Sequence, residues 1–220
     1  MLKVEKLAPP AAASVEVSDG PILYVTIEGL EEDRTLWWRA VPSNGSLCEI
    51  GFLAWSGVLA HLTLVIVDKQ DIRIAEELDL LGQGLENLPV FDKNPWPPDT
   101  HHMTTAVDYR LQFIDEPVPL DLAISSSGLS LLLNGPCTIA EVLSLDRIRL
   151  GLDEARNLRR VDVVKLTDDE LRAVREITKK VLVLEGDRAP GRIAGRDFLG
   201  DRLRGQIDDR NVVRRTIRRI

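Results

Sequence analysis

The strongest constraint on this chain is the contrast in charge between its last 35 residues and everything before them. Gly186–Ile220 contains ten arginines, five aspartates, no lysine and no glutamate, which is a formal charge of +5. Because the whole chain is formally −7, residues 1–185 carry −12. A basic segment on an acidic body must fold back, pair with another subunit or reach a polyanion.

From Leu199 onwards, apolar residues recur three or four positions apart in two runs separated by Asp208-Asp209, which predicts a terminal helix with one apolar side. They are Leu199, Leu203, Ile207, Val213, Ile217 and Ile220. Arginines occupy the other faces: Arg210, Arg214, Arg215, Arg218 and Arg219. An exposed ion pair contributes only about 0–1 kcal/mol, so the apolar side favours docking on protein, in the same chain or a partner. Nucleic acid is less favoured because aspartates are interspersed, and a membrane surface is less favoured still.

Composition is that of a globular chain with a sizeable core: 220 residues, 44% hydrophobic and 29% charged. Cys48 and Cys137 lie far apart and match no metal or redox spacing, so we expect a reduced, cytoplasmic setting. The first residues lack the apolar core of a secretory signal.

An uncharged run of eighteen residues, Ile50–Val67, just reaches the length of a membrane span. Its first part has helical spacing, and its second part, from Leu62 to Val67, is rich in β-formers. We predict a buried helix that passes into a buried strand, with a membrane helix as the alternative. His61 is interpreted as a core histidine.

The N-terminal half is otherwise predicted to be mostly β-structure, because apolar and polar residues alternate between turn signals. The predicted strands are Ser14–Val17, Ile22–Ile27, Leu36–Val41, Val107–Ile114, Leu120–Ile124 and Leu129–Leu133. Asn44-Gly45 predicts a tight reversal. Asp71–Leu88 has the spacing of a helix, weakened by two glycines, and Val90–Thr105 is predicted to be a long loop.

Two capping boxes predict helices in the C-terminal half: Thr138–Glu141 and Thr167–Glu170. Each precedes apolar residues at helical spacing. The predicted fold class is therefore α+β, with a mostly antiparallel β N-terminal portion containing one or two helices, then a helical C-terminal portion and an Arg-rich terminal helix. The predicted regions are a β-rich domain at 1–135, a helical region packed on it at 136–185, and a basic linker and helical arm at 186–220.

The loop around Trp96 contains the residue types of a metal or acid–base site. The candidates are His101, His102, Asp99 and Asp108. Adjacent histidines in a strand point to opposite faces, and no third ligand has a recognisable spacing. We therefore expect no metal and no cofactor, and interpret the segment as a proline-stiffened loop with Trp96 in the edge of the core.

The nine residues Ala123–Leu131 resemble the second motif of PilZ domains, small β-barrels that bind cyclic di-GMP. The resemblance implies a nucleotide-binding hairpin. Ala123 stands where that family has an acidic or amide residue, and no Arg-x-x-x-Arg lies shortly upstream. A plain hairpin turn explains Ser125–Gly128 equally well.

Trp37 and Trp38 are adjacent in a predicted strand, so they should lie on opposite faces. One is expected in the core and the other at an interface, where tryptophan is enriched.

Since no catalytic set converges, we expect a non-enzymatic protein-binding or assembly subunit that docks through the arginine-rich helix and an exposed tryptophan surface. Its partner would be another protein or a second copy. The alternatives are an enzyme or small-ligand module with a site around Trp96–Asp108, and nucleic-acid binding through the C-terminal arm.

Overall fold

This protein consists mainly of β-strands, many of which have side chains that alternate between core and solvent. Its computed structural model describes residues 1–17, 22–30, 34–98, 112–174 and 176. The described strands are β1 Val4–Ala8, β2 Ala13–Glu16, β3 Leu23–Ile27, β4 Thr35–Ala40, β5 Leu47–Leu53, β6 Leu59–Ile66, β7 Ile72–Ile74, β8 Leu88–Phe91, β9 Phe113–Glu116, β10 Leu120–Ile124, β11 Gly128–Leu133, β12 Glu141–Leu145, β13 Ile148–Leu152 and β14 Leu158–Val164. A 3₁₀ turn, Lys69–Asp71, precedes β7.

The strands form three sheets. One six-stranded sheet has the order β2-β3-β6-β5-β4-β9, and the other has the order β12-β13-β14-β11-β10-β7. Strands β1 and β8 form a two-stranded antiparallel sheet. Pairing is antiparallel except where the edge strands β9 and β7 join β4 and β10 in parallel.

One contiguous hydrophobic core contains inward side chains from all three sheets. Phe52 of β5 is fully buried in this core, with its ring centroid 5.5 Å from that of Phe91 and 4.9 Å from that of Trp96. Trp96 is 2% exposed, and its Nε1 donates to the carbonyl oxygen of Gln112 at 3.2 Å. The described part of the loop after β8 is thus held against the core by an aromatic side chain.

The helix predicted over Asp71–Leu88 is wrong, because residues 75–87 cross one face of the second six-stranded sheet without forming a helix. We call these residues the crossing segment. Two of its backbone N–H groups donate to side chains of the sheet: Leu81 N to Asp162 Oδ2 at 2.6 Å, and Gly84 N to Ser144 Oγ at 2.7 Å. Leu81 packs against β13, since a Cβ added at Gly151 would lie 3.0 Å from Leu81 Cδ1, and all five residues of β13 are buried.

The expectation of an α+β fold with a helical C-terminal portion is also wrong, since the described protein is mostly β. Residues 141–164 form β12, β13 and β14, and Thr138–Glu141 does not start a helix. Leu145 and Ile148 face each other across a hairpin turn, and Leu152 follows them in β13. Their spacing of three and four imitates a helical stripe, although it arises from two strands and a tight turn.

The second capping box is confirmed. Thr167 Oγ1 accepts from the backbone N–H of Glu170 at 3.2 Å, and Glu170 Oε2 accepts from that of Thr167 at 2.7 Å. The helix α1 follows, with 168–174 among the described residues, and buries Leu171 and Val174. Arg147 donates from Nη1 to Glu170 Oε1 at 3.1 Å and from Nη2 to Glu170 Oε2 at 2.6 Å. This ion pair connects the start of α1 to the turn before β13.

The helical half predicted for Ile50–Val67 is wrong, since this run spans most of β5, a turn and β6. The described ranges contain no helix with the length and hydropathy needed to span a membrane. The Arg-rich terminal helix lies outside the described residues.

Replacing Asp162 with alanine should lower the free energy of unfolding by about 3 kcal/mol. Asp162 is 0% exposed, accepts from Leu81, and pairs with Arg160 Nε at 2.7 Å. Its loss leaves the Arg160 guanidinium and the backbone N–H of Leu81 without this carboxylate beneath the crossing segment. Urea denaturation measures the change, and Asp121→Ala is the control, with an expected change of about 0.5 kcal/mol because Asp121 of β10 is only half-buried. Equal losses in the two variants would show that Asp162 does not hold the crossing segment.

Candidate functional site

The first six-stranded sheet has one face turned away from the core, and its strand register arranges the side chains on this outward face in two rows. The aromatic row runs across all six strands in the order Ser14, Thr26, His61, Gly51, Trp37, Phe113. The charged row runs beside it in the order Glu16, Tyr24, Thr63, Glu49, Arg39, Asp115.

Alternation along β4 places Trp37 on this face. Leu36, Trp38 and Ala40 point into the core, with Trp38 only 1% exposed, whereas Trp37 and Arg39 are half-buried on the outward side. The two adjacent tryptophans therefore have different environments. Trp37 is partly exposed to solvent, while Trp38 is buried in the core.

Four rings form a continuous array on the outward face, which we call the four-ring array: Tyr24, His61, Trp37 and Phe113. The centroids of Tyr24 and His61, and those of His61 and Trp37, are 5.8 Å apart with interplanar angles of 12° and 13°. The Trp37 and Phe113 centroids are 6.4 Å apart at 11°. Parallel offset rings of this kind contribute about 0.5–1.5 kcal/mol per pair beyond their burial.

Gly51 makes the array possible. His61 and Trp37 belong to β6 and β4, which are separated by β5, and their rings meet over Gly51. A Cβ at this position would lie 2.8 Å from Cζ3 of Trp37 and 2.8 Å from Cγ2 of Thr35. Any other residue would displace the indole, so the missing side chain is part of the site.

The charged row contains a forked ion pair. Arg39 donates from Nε and Nη2 to the two carboxylate oxygens of Asp115 at 2.6 and 2.8 Å, and its guanidinium carbon lies 4.6 Å from the Phe113 ring centroid. Glu49 is more distant, with Oε1 3.9 Å from Arg39 Nη1. Burial raises the pKa of the Glu49 carboxyl, Arg39 opposes this effect and Asp115 adds to it.

His61 lies on the outward face rather than in the core. The Tyr24 hydroxyl and His61 Nδ1 are at hydrogen-bond distance, 3.2 Å. Burial lowers the pKa of the His61 imidazole, so the ring is neutral at pH 7. A neutral imidazole lets the four-ring array stack without placing a second cation near Arg39.

His101, His102, Asp99 and Asp108 lie outside the described residues, as do Arg210, Arg214, Arg215, Arg218 and Arg219. No cluster of three or more His, Cys, Asp or Glu side chains that could hold a metal occurs within the ranges the structure describes.

The PilZ-like residues form the β10–β11 hairpin. The hydroxyl groups of Ser125 and Ser127 form a hydrogen bond there, with their oxygens 2.7 Å apart. The backbone N–H of Ser125 donates to the carbonyl oxygen of Gly128 at 3.0 Å. These contacts account for the serines as turn residues.

A cavity of about 200 Å³ lies where β4 meets the loop after β8, lined in part by Trp38, Trp96 and Glu116. Trp38 Nε1 is buried and has no hydrogen-bond partner among the described residues. One indole N–H does not identify a ligand, so we base no function on this cavity.

No protein-family model matches this chain, and no curated protein matches it.

Sequence reasoning missed Tyr24, His61, Gly51, Arg39 and Glu49. Each is an ordinary strand residue, and its role depends on neighbours in other strands. The alternation in Leu36–Val41 did signal that Trp37 and Arg39 share a face. The sequence analysis predicted a helix for the first part of Ile50–Val67, where the structure has β5 with Gly51. Without that strand, the two rows could not be predicted.

Gly51→Ala should displace the Trp37 ring from His61, because the new methyl group would overlap the indole. We expect the His61 ring-proton NMR shifts to lose the ring-current effect of Trp37, and the free energy of unfolding to fall by about 1–3 kcal/mol. Gly82→Ala is the matched control, since a Cβ there meets nothing within 4 Å. Unchanged His61 shifts in Gly51→Ala would contradict the described packing.

The lowered pKa of His61 predicts a pH dependence of stability. In the unfolded chain a histidine titrates near about 6.5, whereas folded His61 binds its proton only at lower pH. The contribution of His61 to the free energy of unfolding is therefore fully present above about pH 6.5, and it decreases as the pH falls towards the pKa of His61 in the folded protein. Urea denaturation between pH 5 and 8 should show this loss in the parent and not in His61→Gln. An NMR titration midpoint at or above that of the unfolded chain would refute the sign.

Proposed function

We propose that this protein is a non-enzymatic protein-binding or assembly subunit whose partner docks on the outward face around Trp37. The observation that carries the proposal is the pair of rows, in which aromatic rings and charged groups lie side by side. Tryptophan, tyrosine and arginine are the residues that dominate binding energy at protein interfaces.

Preorganisation supports this proposal. Ordering a side chain at an interface costs about 0.5–1.5 kcal/mol. The rings of Trp37 and His61 stack on each other, and Arg39 is held by Asp115. These side chains are ordered before a partner arrives, so less of the binding free energy is lost on docking.

The arginine-rich segment is proposed as a second binding element. Its formal charge of +5, with ten arginines and no lysine, is the support for this role. Arginine binds carboxylates through two parallel hydrogen bonds, whereas lysine acts as a point charge. Aspartates within the segment favour a protein partner over nucleic acid.

Trp37→Ala should weaken association with a protein partner, whether a second copy or another protein. Size-exclusion chromatography with light scattering measures self-association, and the proteins retained from an extract measure hetero-association. Trp55→Ala is the control, because Trp55 is 69% exposed but lies in the β5–β6 turn and not in either row.

A shortened chain that ends at Glu185 tests the arginine-rich segment in the same assays. The proposal fails if the parent, Trp37→Ala and the shortened chain all remain monomeric and retain the same proteins.

A further inference from the structure

The outward face already binds one arginine side chain, and the geometry shows how. The guanidinium of Arg39 lies over the Phe113 ring at 4.6 Å and forks onto the Asp115 carboxylate. The ring and the carboxylate come from positions two apart in β9, one in each row. An aromatic face next to a carboxylate is therefore a guanidinium site in this protein.

A second ring-and-carboxylate arrangement lies in the same two rows. Over β5 the aromatic row presents the Trp37 and His61 rings across Gly51, and the charged row presents Glu49 two positions away in the same strand. Glu49 is 3.9 Å from Arg39 Nη1, so it lacks the forked pairing that Asp115 has. The second carboxylate therefore retains capacity to accept hydrogen bonds.

The charge of the face favours a cation. The charged row contains three carboxylates, from Glu16, Glu49 and Asp115, against the single guanidinium of Arg39. With His61 neutral, the two rows carry a formal charge of −2. A phosphate backbone would be repelled by these carboxylates, whereas a basic polypeptide would be attracted.

From this geometry we propose that the outward face binds an arginine side chain of a partner polypeptide, with its guanidinium against the Trp37 and His61 rings and hydrogen-bonded to Glu49. This proposal rests on the protein-binding function above and names the chemistry of the partner. Arginine fits better than lysine, because a planar guanidinium stacks on aromatic faces and donates two parallel bonds to one carboxylate.

Acidification should weaken this binding. A guanidinium needs Glu49 ionised, and protonation of His61 would place a second cation beside the incoming one. The other groups facing the site are the carboxylates of Glu16 and Asp115, whose protonation acts in the same direction, the Arg39 guanidinium, which stays charged, and the Tyr24 hydroxyl.

The test uses the full chain and two synthetic peptides of eleven residues. One carries three arginines in a glycine–serine background, and the other has lysine at the same three positions. Fluorescence polarisation at low salt measures both affinities at pH 7.5 and pH 5. The arginine peptide should bind about tenfold more tightly than the lysine peptide at pH 7.5, and this difference should shrink at pH 5.

Three variants locate the site. Glu49→Gln and Trp37→Ala should each weaken binding of the arginine peptide by about tenfold, which corresponds to 1.4 kcal/mol. Glu154→Gln is the matched control: it makes the same charge change at an exposed position in the turn before β14 and should leave the affinity unchanged. Far-UV circular dichroism checks that all three variants fold.

The results separate this proposal from the protein-binding function. No binding of the arginine peptide, equal affinities for arginine and lysine, or equal effects of Glu49→Gln and Glu154→Gln would overturn the arginine site. If Trp37→Ala still weakens association with a protein partner in that case, the protein-binding function stands with a different chemistry. If Trp37→Ala and Trp55→Ala also behave alike in association, both proposals fall.

Discussion

The register between β4, β5 and β6 is the constraint on which the rest of this structure depends. Because side chains alternate with a period of two, a slip of one residue in β4 would turn Trp38 outward and bury Arg39. The same register sets Gly51 between His61 and Trp37, so that rings from non-adjacent strands can meet. The register of these three strands therefore determines both which side chains enter the core and which ones form the two rows on the opposite face.

The two large sheets use their faces differently. In the second sheet the crossing segment covers one face, held by bonds from Leu81 to Asp162 and from Gly84 to Ser144, while the opposite face joins the core. In the first sheet the outward face carries rings and charges that are only half-buried. A buried polar residue such as Asp162 therefore stabilises the fold, whereas the side chains of Arg39 and Glu49 remain partly exposed to solvent.

Local patterns in the sequence predicted many elements but misplaced others. The strands predicted at Leu120–Ile124 and Leu36–Val41, and the capping box at Thr167–Glu170, agree with the structure because they depend on neighbours within a few residues. The apolar residues of Asp71–Leu88 have helical spacing, yet the backbone N–H groups of Leu81 and Leu85 donate to Asp162 and Val142 in distant strands. The rows were not predictable from the sequence, since each joins six strands whose order is not encoded locally.

The sequence by itself determined which segments alternate, where several turns fall, and that a basic, arginine-rich end follows an acidic body. Tertiary structure alone decided that Trp37 lies outward and Trp38 inward, that Gly51 lies beneath a ring, and that Glu49 lies beside an occupied arginine site. The physical reason is the range of the interactions. Alternation and capping act between neighbours along the chain, whereas ring stacking, ion pairing and burial act between strands far apart in sequence.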